Sequence, residues 1–177
     1  MASQTGNRQG GWTTSGRRES GCVQGMIETR AATPDERDEL LRLIRGHLGA
    51  DFESLQGPTG LSWPEFEVLY RTRGEVRAIR KDGSVVGYYW IERRGKELHL
   101  HAIYVFPPHR DKGVAAAAIG ALEREFETQV DAIELGVEET NEKARSLYER
   151  LGFQVEGRLV DLGFLLLRKR LGDRAGN

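Results

Sequence analysis

The segment around residue 110 combines basic side chains with a glycine, a pattern that could bind an anion. An extended segment, residues 98–105, precedes Arg110, Lys112 and Gly113, and a helical pattern begins at Val114. The first N–H groups of a helix have no partner within it, and the helix dipole places partial positive charge there. Gly113 lets the backbone approach an anion where a Cβ would obstruct it. The pattern therefore predicts a phosphate site, with a basic turn that binds nothing as the alternative.

The spacing of this loop differs from two common nucleotide-binding motifs. It runs Arg110-x-x-Gly113-x-Ala115, with neither the Gly-Lys-Ser/Thr that holds magnesium nor a Gly-x-Gly-x-x-Gly. Four scattered histidines and the single Cys22 do not form a zinc set, so we expect no metal.

Composition narrows the class of protein further. A net charge of -1 gives no broad basic field for nucleic acid, and no apolar run approaches the ~20 residues of a membrane helix. One cysteine allows no intrachain disulfide, so we expect a cytoplasmic protein. Residues 1–25 are rich in Gly, Ser, Thr, Arg and Gln and lack a signal-peptide core, so we expect a disordered tail before one domain, residues 26–172. Whether this tail is native to the protein is left open.

The hydrophobic periodicity predicts a mixed α+β fold. Helices are expected from Thr33 to a stop at Gly49, and over 62–74, 114–126 and 141–151, with a loop through Gly57 and Pro58. Strands are expected over 26–31, 75–80, 85–91, 98–105, 132–137, 153–160 and 163–169. Asp82-Gly83 predicts a tight hairpin turn.

A second motif lies in the last predicted helix, where Asn141 is followed by Ala144, Leu147-Tyr148 and Gly152-Phe153. With the Arg110 loop upstream, it resembles the GNAT superfamily of acetyl-CoA-dependent N-acetyltransferases over roughly residues 26–170. The resemblance implies a GNAT acyl-CoA N-acyltransferase fold. Such a fold has a mostly antiparallel twisted sheet of about 6–7 strands, about four helices, and a V between two splayed strands that holds CoA. It also implies direct attack of a primary amine on acetyl-CoA.

The same resemblance assigns cofactor-binding positions. The backbone of Ile103, Tyr104 and Val105 would pair with the pantetheine chain. The Arg110 side chain and the amides of the loop would hold the pyrophosphate, the amides being those of Asp111, Lys112, Gly113, Val114 and Ala115. Asn141 would contact the pantetheine, although a plain helix N-cap is an equal alternative.

The resemblance to the GNAT superfamily also implies catalytic roles. Tyr148 resembles the family's general acid, and a tyrosine with a pKa near ~10 keeps its proton at neutral pH. Its alternative is a core tyrosine, since Ala144 and Leu151 share its helical stripe. Where family members often place a glutamate base, this strand carries His99 and His101, which share one face. The alternative is that both are half-exposed strand histidines without a catalytic role. Glu138, or a chain of water molecules, is a further candidate base.

The acceptor amine cannot be identified from the sequence. By analogy with the family, residues 48–73 would line its site, where Trp63, Phe66 and Tyr70 form either an apolar wall or helix core. The expected partner is a small-molecule or peptide amine, with no nucleic acid and no membrane, and a homodimer is left open. The alternative function is a catalytically inactive CoA-binding regulatory or interaction domain of the same fold.

Overall fold

The computed structural model describes residues 26–59 and 62–172, so the predicted tail lies outside the described residues. The seven strands of this part are β1 (Ile27–Ala31), β2 (Glu75–Lys81), β3 (Ser84–Arg94), β4 (Glu97–Val105), β5 (Ala132–Glu138), β6 (Gln154–Leu159) and β7 (Phe164–Arg170). The four α-helices are α1 (Pro34–Thr59), α2 (Trp63–Thr72), α3 (Val114–Phe126) and α4 (Glu142–Arg150).

The strands form one sheet in the order β1-β2-β3-β4-β5-β7-β6. All neighbours are antiparallel except β4 and β5, which are parallel. The predicted Asp82-Gly83 turn joins β2 to β3, with φ of 51° and 81° at its two residues. The mixed, mostly antiparallel sheet with four helices confirms the predicted fold class.

Each face of the sheet carries its own apolar core. On one face α1 and α2 pack Leu40 and Tyr70 against Trp90 of β3. On the other face α3 and α4 contribute Leu122 and Tyr148, which pack with the strands through a larger cluster. None of the helices in the described part of the chain is long and apolar enough to cross a membrane.

The predicted end of the first helix is wrong. Helix α1 continues through Gly49 to Thr59, and its last turns include Gly57 and Pro58, which the sequence pattern assigns to a loop. A glycine inside a helix costs only about 1 kcal/mol relative to alanine, so a single glycine need not end a helix. The predicted start is confirmed, since Thr33 Oγ1 accepts from the Glu36 N–H and the Glu36 carboxylate accepts from the Thr33 N–H.

A β-bulge in β4 determines where the sheet opens. Trp90 pairs with Ala102 and Ile91 pairs with Leu100, so His101 is the extra residue on β4. The parallel pairing of β4 with β5 ends at the same level, at Leu100 and Leu135. Beyond that level the two strands separate, and a V-shaped opening forms between them.

Gly87 on β3 permits close contact with the part of β4 that borders this opening. A Cβ at Gly87 would lie 2.3 Å from the Tyr104 carbonyl oxygen. We expect Gly87→Ala to lower the free energy of unfolding by about 1–3 kcal/mol, as overpacking does. Chemical denaturation measures this change.

Gly46→Ala is the matched control, because a Cβ at this position of α1 would have no described heavy atom within 4 Å beyond the adjacent residues and the helix's own backbone. It should raise stability by up to about 1 kcal/mol through helix propensity. Equal effects of the two substitutions would contradict the tight contact at Gly87.

Candidate functional site

A cavity of ≈ 980 Å³ occupies the opening between β4 and β5. Its wall combines the second half of β4, the end of β5, the first turn of α3, one side of α4, and residues of α1 and α2. The predicted site residues on this wall are His101, Ile103, Tyr104, Val105, Arg110, Asp111, Gly113, Val114, Ala115, Glu138, Asn141 and Tyr148. The fold therefore brings both sequence motifs to one cavity.

The loop before α3 has the geometry of an anion site. Gly113 precedes the helix with φ of 75°, and apart from its two chain neighbours no described heavy atom lies within 4 Å of a Cβ built there. Ala117 donates to the Gly113 carbonyl oxygen at 2.9 Å, so the N–H groups of the preceding first turn have no intrahelical partner. Open space therefore lies in front of donors that point out of the helix.

Two side chains hold this loop in place. Arg110 Nε donates to the Val105 carbonyl oxygen at 2.9 Å, and the guanidinium lies 5.2 Å from the centre of the Tyr104 ring. Lys143 Nζ of α4 lies 2.6 Å from Asp111 Oδ1, which joins α4 to the loop. Lys112 is exposed and is absent from the cavity wall.

Asn141 has the N-cap role and also lines the cavity. Its Oδ1 accepts a hydrogen bond from the Ala144 N–H at 3.1 Å, which satisfies one free amide of α4. Because the cap uses only the oxygen, the amide nitrogen retains its donor capacity on the cavity side.

Tyr148 of α4 lines the cavity and is buried, with 7% of its surface exposed. Its ring lies edge-on to Phe153 at a centroid distance of 5.7 Å. Burial raises the pKa of the Tyr148 hydroxyl to about 12. The side chain is thus part of the core and also a neutral proton donor at the cavity.

The two predicted histidines are adjacent, with ring centroids 4.5 Å apart. Of these two histidines, His101 lines the cavity and His99 does not. Its ring stacks on Trp90 at 4.0 Å, and its Nε2 lies 2.9 Å from Glu92 Oε2. Burial, reinforced by the neighbouring His99, lowers the pKa of His101 to about 4. His101 is therefore neutral near pH 7.

His99 lies beside the cavity rather than on its wall. Its Nδ1 is 3.5 Å from Glu134 Oε2, and this nitrogen is buried without a hydrogen bond within the described part of the chain. Burial and the charge of Arg94 lower the pKa of His99. Among the two histidines, the geometry favours His101 for contact with a ligand.

Glu92, which contacts His101 from outside the cavity wall, is a residue that sequence reasoning missed, as are Arg73 and Arg94 on the wall. Burial disfavours its charge, but hydrogen bonds from Arg94 and His101 outweigh that effect and lower the pKa of Glu92. The available signal was the β3–β4 hairpin, in which Glu92 is paired with His99 and so comes near His101. The β-bulge at His101, which affects how close Glu92 and His101 lie, is not indicated by any sequence pattern.

The predicted acceptor wall is present only in part. Phe66 lines the cavity, whereas Tyr70 is fully buried and donates from its hydroxyl to the Arg37 carbonyl oxygen at 2.7 Å. Trp63 packs on Phe66 at 5.3 Å outside the cavity wall. The side chains of residues 48–61 are outside the described part, so most of the predicted acceptor segment stays a prediction.

Comparison with known proteins adds independent evidence. The model of the Acetyltransferase (GNAT) family matches residues 41–153. An uncharacterized N-acetyltransferase of Mycobacterium tuberculosis is 29% identical over 96 residues, which cover 51% of this chain and 60% of that protein. The 5-NmdU N-acetyltransferase of Pseudomonas phage PaMx11 is 28% identical over 135 residues, which cover 75% of this chain and 90% of that protein. This chain thus spans less than two thirds of the length of the mycobacterial relative.

Solved structures share the fold. The spermidine N-acetyltransferase of Vibrio cholerae, in complex with CoA and spermine, superposes with a TM-score of 0.61 at 19% identity, covering 82% of this chain and 96% of that one. At this identity the likeness concerns the fold alone. The family model covers more than half of this sequence, and the fold and both motifs agree with it: the chain belongs to the acetyltransferase (GNAT) family.

Proposed function

We propose that this protein is an acetyl-CoA-dependent N-acetyltransferase in which a primary amine attacks the acetyl group directly. The observation that carries the proposal is the single cavity that joins the Gly113 loop to Tyr148 and His101. Membership of the family supports the same reaction.

The residues around the cavity fit the cofactor. The backbone of Ile103, Tyr104 and Val105 lies beyond the last β4–β5 pair, so this edge of β4 is available to an extended pantetheine chain. The loop amides and Arg110 suit the pyrophosphate, and the Asn141 amide nitrogen suits a pantetheine carbonyl. When bound, acetyl-CoA supplies the thioester carbonyl that the amine attacks and the thiol that departs.

Tyr148 is assigned the general acid. Its raised pKa of about 12 keeps the hydroxyl protonated at working pH, so it can donate a proton to the departing sulfur. The Tyr148 hydroxyl makes no hydrogen bond to another described residue, so its proton is not committed to a neighbouring carboxylate.

His101 is assigned the general base, with Glu92 as its positioning residue. Glu92 Oε2 accepts the Nε2 proton, and the Nδ1 atom, which makes no bond to another described residue and is not fully buried, remains as the proton acceptor. This arrangement fixes the tautomer of the ring.

The low pKa of His101 determines which of the two amine protons it accepts. Removing the first proton of a lysine-like ammonium to solvent costs about 4–5 kcal/mol at pH 7. Transfer of that proton to a base of pKa about 4 costs nearly twice as much. We therefore assign the first proton to solvent and the second to His101 during attack, when bond formation makes the nitrogen far more acidic.

The loop assignment predicts a binding defect. Gly113→Asp places a side chain and a negative charge in the open space at the start of α3. We expect affinity for CoA to fall at least about tenfold, equivalent to ~1.4 kcal/mol. Titration calorimetry measures this affinity.

Gly95→Asp is the matched control, because Gly95 has a similar φ of 63° and equally open surroundings in the β3–β4 turn. It should leave CoA affinity near the wild-type value. Equal affinity of Gly113→Asp and wild-type protein would remove the loop from the cofactor site.

The acid assignment predicts a turnover defect without a folding defect. Tyr148→Phe keeps the ring against Phe153 and removes only the hydroxyl. We expect kcat to fall by about 10²-fold, while CoA affinity and melting temperature change little. Steady-state CoA release measures kcat. A wild-type kcat in this variant would leave Tyr148 with a packing role alone. If the wild-type protein bound CoA but acetylated no amine, the alternative of an inactive CoA-binding domain would be favoured.

The base assignment predicts the shape of the pH profile. Because the pKa of His101 is lowered to about 4, the ring stays unprotonated as pH falls from 8 to 5. With an amine of pKa ~10, log kcat/KM should therefore rise with a slope of 1 across this range, through amine deprotonation alone. An ordinary histidine base would steepen the slope to 2 below pH ~6.5.

His101→Gln should lower the whole curve without changing its slope, whereas His99→Gln should lower it less. Glu92→Gln removes a group that raises the pKa of His101, so no break should enter the range from pH 5 to 8. A break near pH 6.5 in the wild-type profile, absent from His101→Gln, would contradict the neutral buried base.

A further inference from the structure

Two arginines from different elements meet at the cavity wall on the face that carries α1 and α2. Arg73 follows the end of α2, and Arg94 is the last residue of β3. Both line the same cavity as His101 and Tyr148. The proposed acetyl transfer, as derived above, assigns no role to either guanidinium.

Glu92 holds the pair in place without neutralising it. Arg94 donates to Glu92 Oε2 from Nε at 2.9 Å and from Nη2 at 2.7 Å. Arg73 Nη1 lies 3.8 Å from Glu92 Oε1, which is an ion-pair distance but too long for a hydrogen bond. One carboxylate thus faces two guanidiniums, which leaves one net positive charge and the donors of Arg73 open.

Glu138 provides the opposite charge at another part of the same wall. Strand alternation turns it away from Val137, which packs in the α3–α4 core, and so towards the α1–α2 face. Its carboxylate makes no ion pair with another described residue, while its carbonyl oxygen accepts from the Asn141 N–H at 3.0 Å. An ammonium group is its natural partner.

Apart from His47 of α1 and Tyr104 of β4, the remaining wall on this face is mostly apolar. Phe66 and Leu69 of α2 and the ring of Trp90 contribute to it. The indole Nε1 of Trp90 already donates to the Arg73 carbonyl oxygen at 2.8 Å, so it offers no free donor to a ligand. We therefore assign charge recognition on this face to Arg73, Arg94 and Glu138, with His47 of α1 on the same wall.

We propose, on the basis of the acetyltransferase function proposed above, that the acceptor is an amine that also carries an acidic group, a carboxylate or a phosphate, which Arg73 and Arg94 bind. Guanidinium donors suit both oxyanions through paired hydrogen bonds. A polyamine, in which every group is cationic, would place a second positive charge beside these arginines. Arg73 and Arg94 are then the specificity-determining residues, and Glu138 faces the amine.

A set of amines on one carbon scaffold tests this charge preference. The probes are 4-aminobutyrate, butylamine and 1,4-diaminobutane, with 3-aminopropylphosphonate as the phosphate-like arm, and β-alanine and 6-aminohexanoate to vary the length. Acetyl transfer is followed as CoA release, and binding to CoA-saturated protein is measured by calorimetry. We expect the acidic amines to exceed butylamine by about tenfold in kcat/KM or in affinity, and 1,4-diaminobutane to rank last.

Substitution of the arginines tests whether they cause the preference for acidic amines. Arg73→Gln removes a side chain that is 57% exposed and makes no hydrogen bond to another described residue, so the fold should survive. It should reduce the ratio of kcat/KM for 4-aminobutyrate to kcat/KM for butylamine several-fold, and Arg73→Glu should favour 1,4-diaminobutane. Arg93→Gln is the matched control, because Arg93 is an exposed neighbour on β3 outside the cavity wall.

The outcomes separate this inference from the proposed function. If no amine is acetylated, the acetyltransferase proposal fails, and the calorimetric ranking still decides the charge preference. Equal or stronger binding of 1,4-diaminobutane, or an acidic preference that persists in Arg73→Gln and in the Arg73→Gln, Arg94→Gln double variant, would overturn the inference. Comparison of the carboxylate and phosphonate arms identifies which oxyanion the arginines prefer.

Discussion

The separation of β4 from β5 is the constraint on which the other features of this site depend. The two strands pair in parallel for only four residue pairs, from Glu97 with Ala132 to Leu100 with Leu135. Each strand remains bonded on its other side, β4 to β3 and β5 to β7. The sheet therefore stays continuous while its centre opens, and a cavity forms whose edge carries main-chain groups that lack a strand partner. Helices α3 and α4 and helices α1 and α2 close this opening from the two faces.

The polar groups at the cavity wall and directly behind it differ in how they tolerate burial. Tyr148 and His101 avoid the cost by staying neutral, because burial raises the pKa of the first and lowers that of the second. Glu92 stays charged instead, since Arg94 and His101 both donate to it. The same carboxylate thus contacts His101 and lies within ion-pair distance of both Arg73 and Arg94. Loss of Glu92 would disturb proton transfer and acceptor recognition together.

Several residues combine a structural and a proposed binding role. Asn141 caps α4 with its oxygen and lines the cavity, and Arg110 bonds the end of β4 beside the open loop. Tyr148 is both a core residue and a cavity residue. The structural and functional interpretations of such a motif are therefore not exclusive, since a residue fixed by packing holds its reactive atom in a defined place.

The sequence by itself determined the features that depend on neighbours along the chain. The boundaries of α3, the Asp82-Gly83 turn, the Thr33 cap and the Gly113 loop followed from local periodicity, capping and backbone preference, and both family motifs are contiguous segments. Only the tertiary structure decided that His101 rather than His99 lines the cavity, that Glu92 orients it, and that Arg73 and Arg94 meet beside it. These outcomes depend on the bulge in β4 and on contacts between residues far apart in the chain. A shift of one residue in strand pairing turns a side chain to the other face of a sheet, and cross-strand packing, which no local pattern encodes, selects the register.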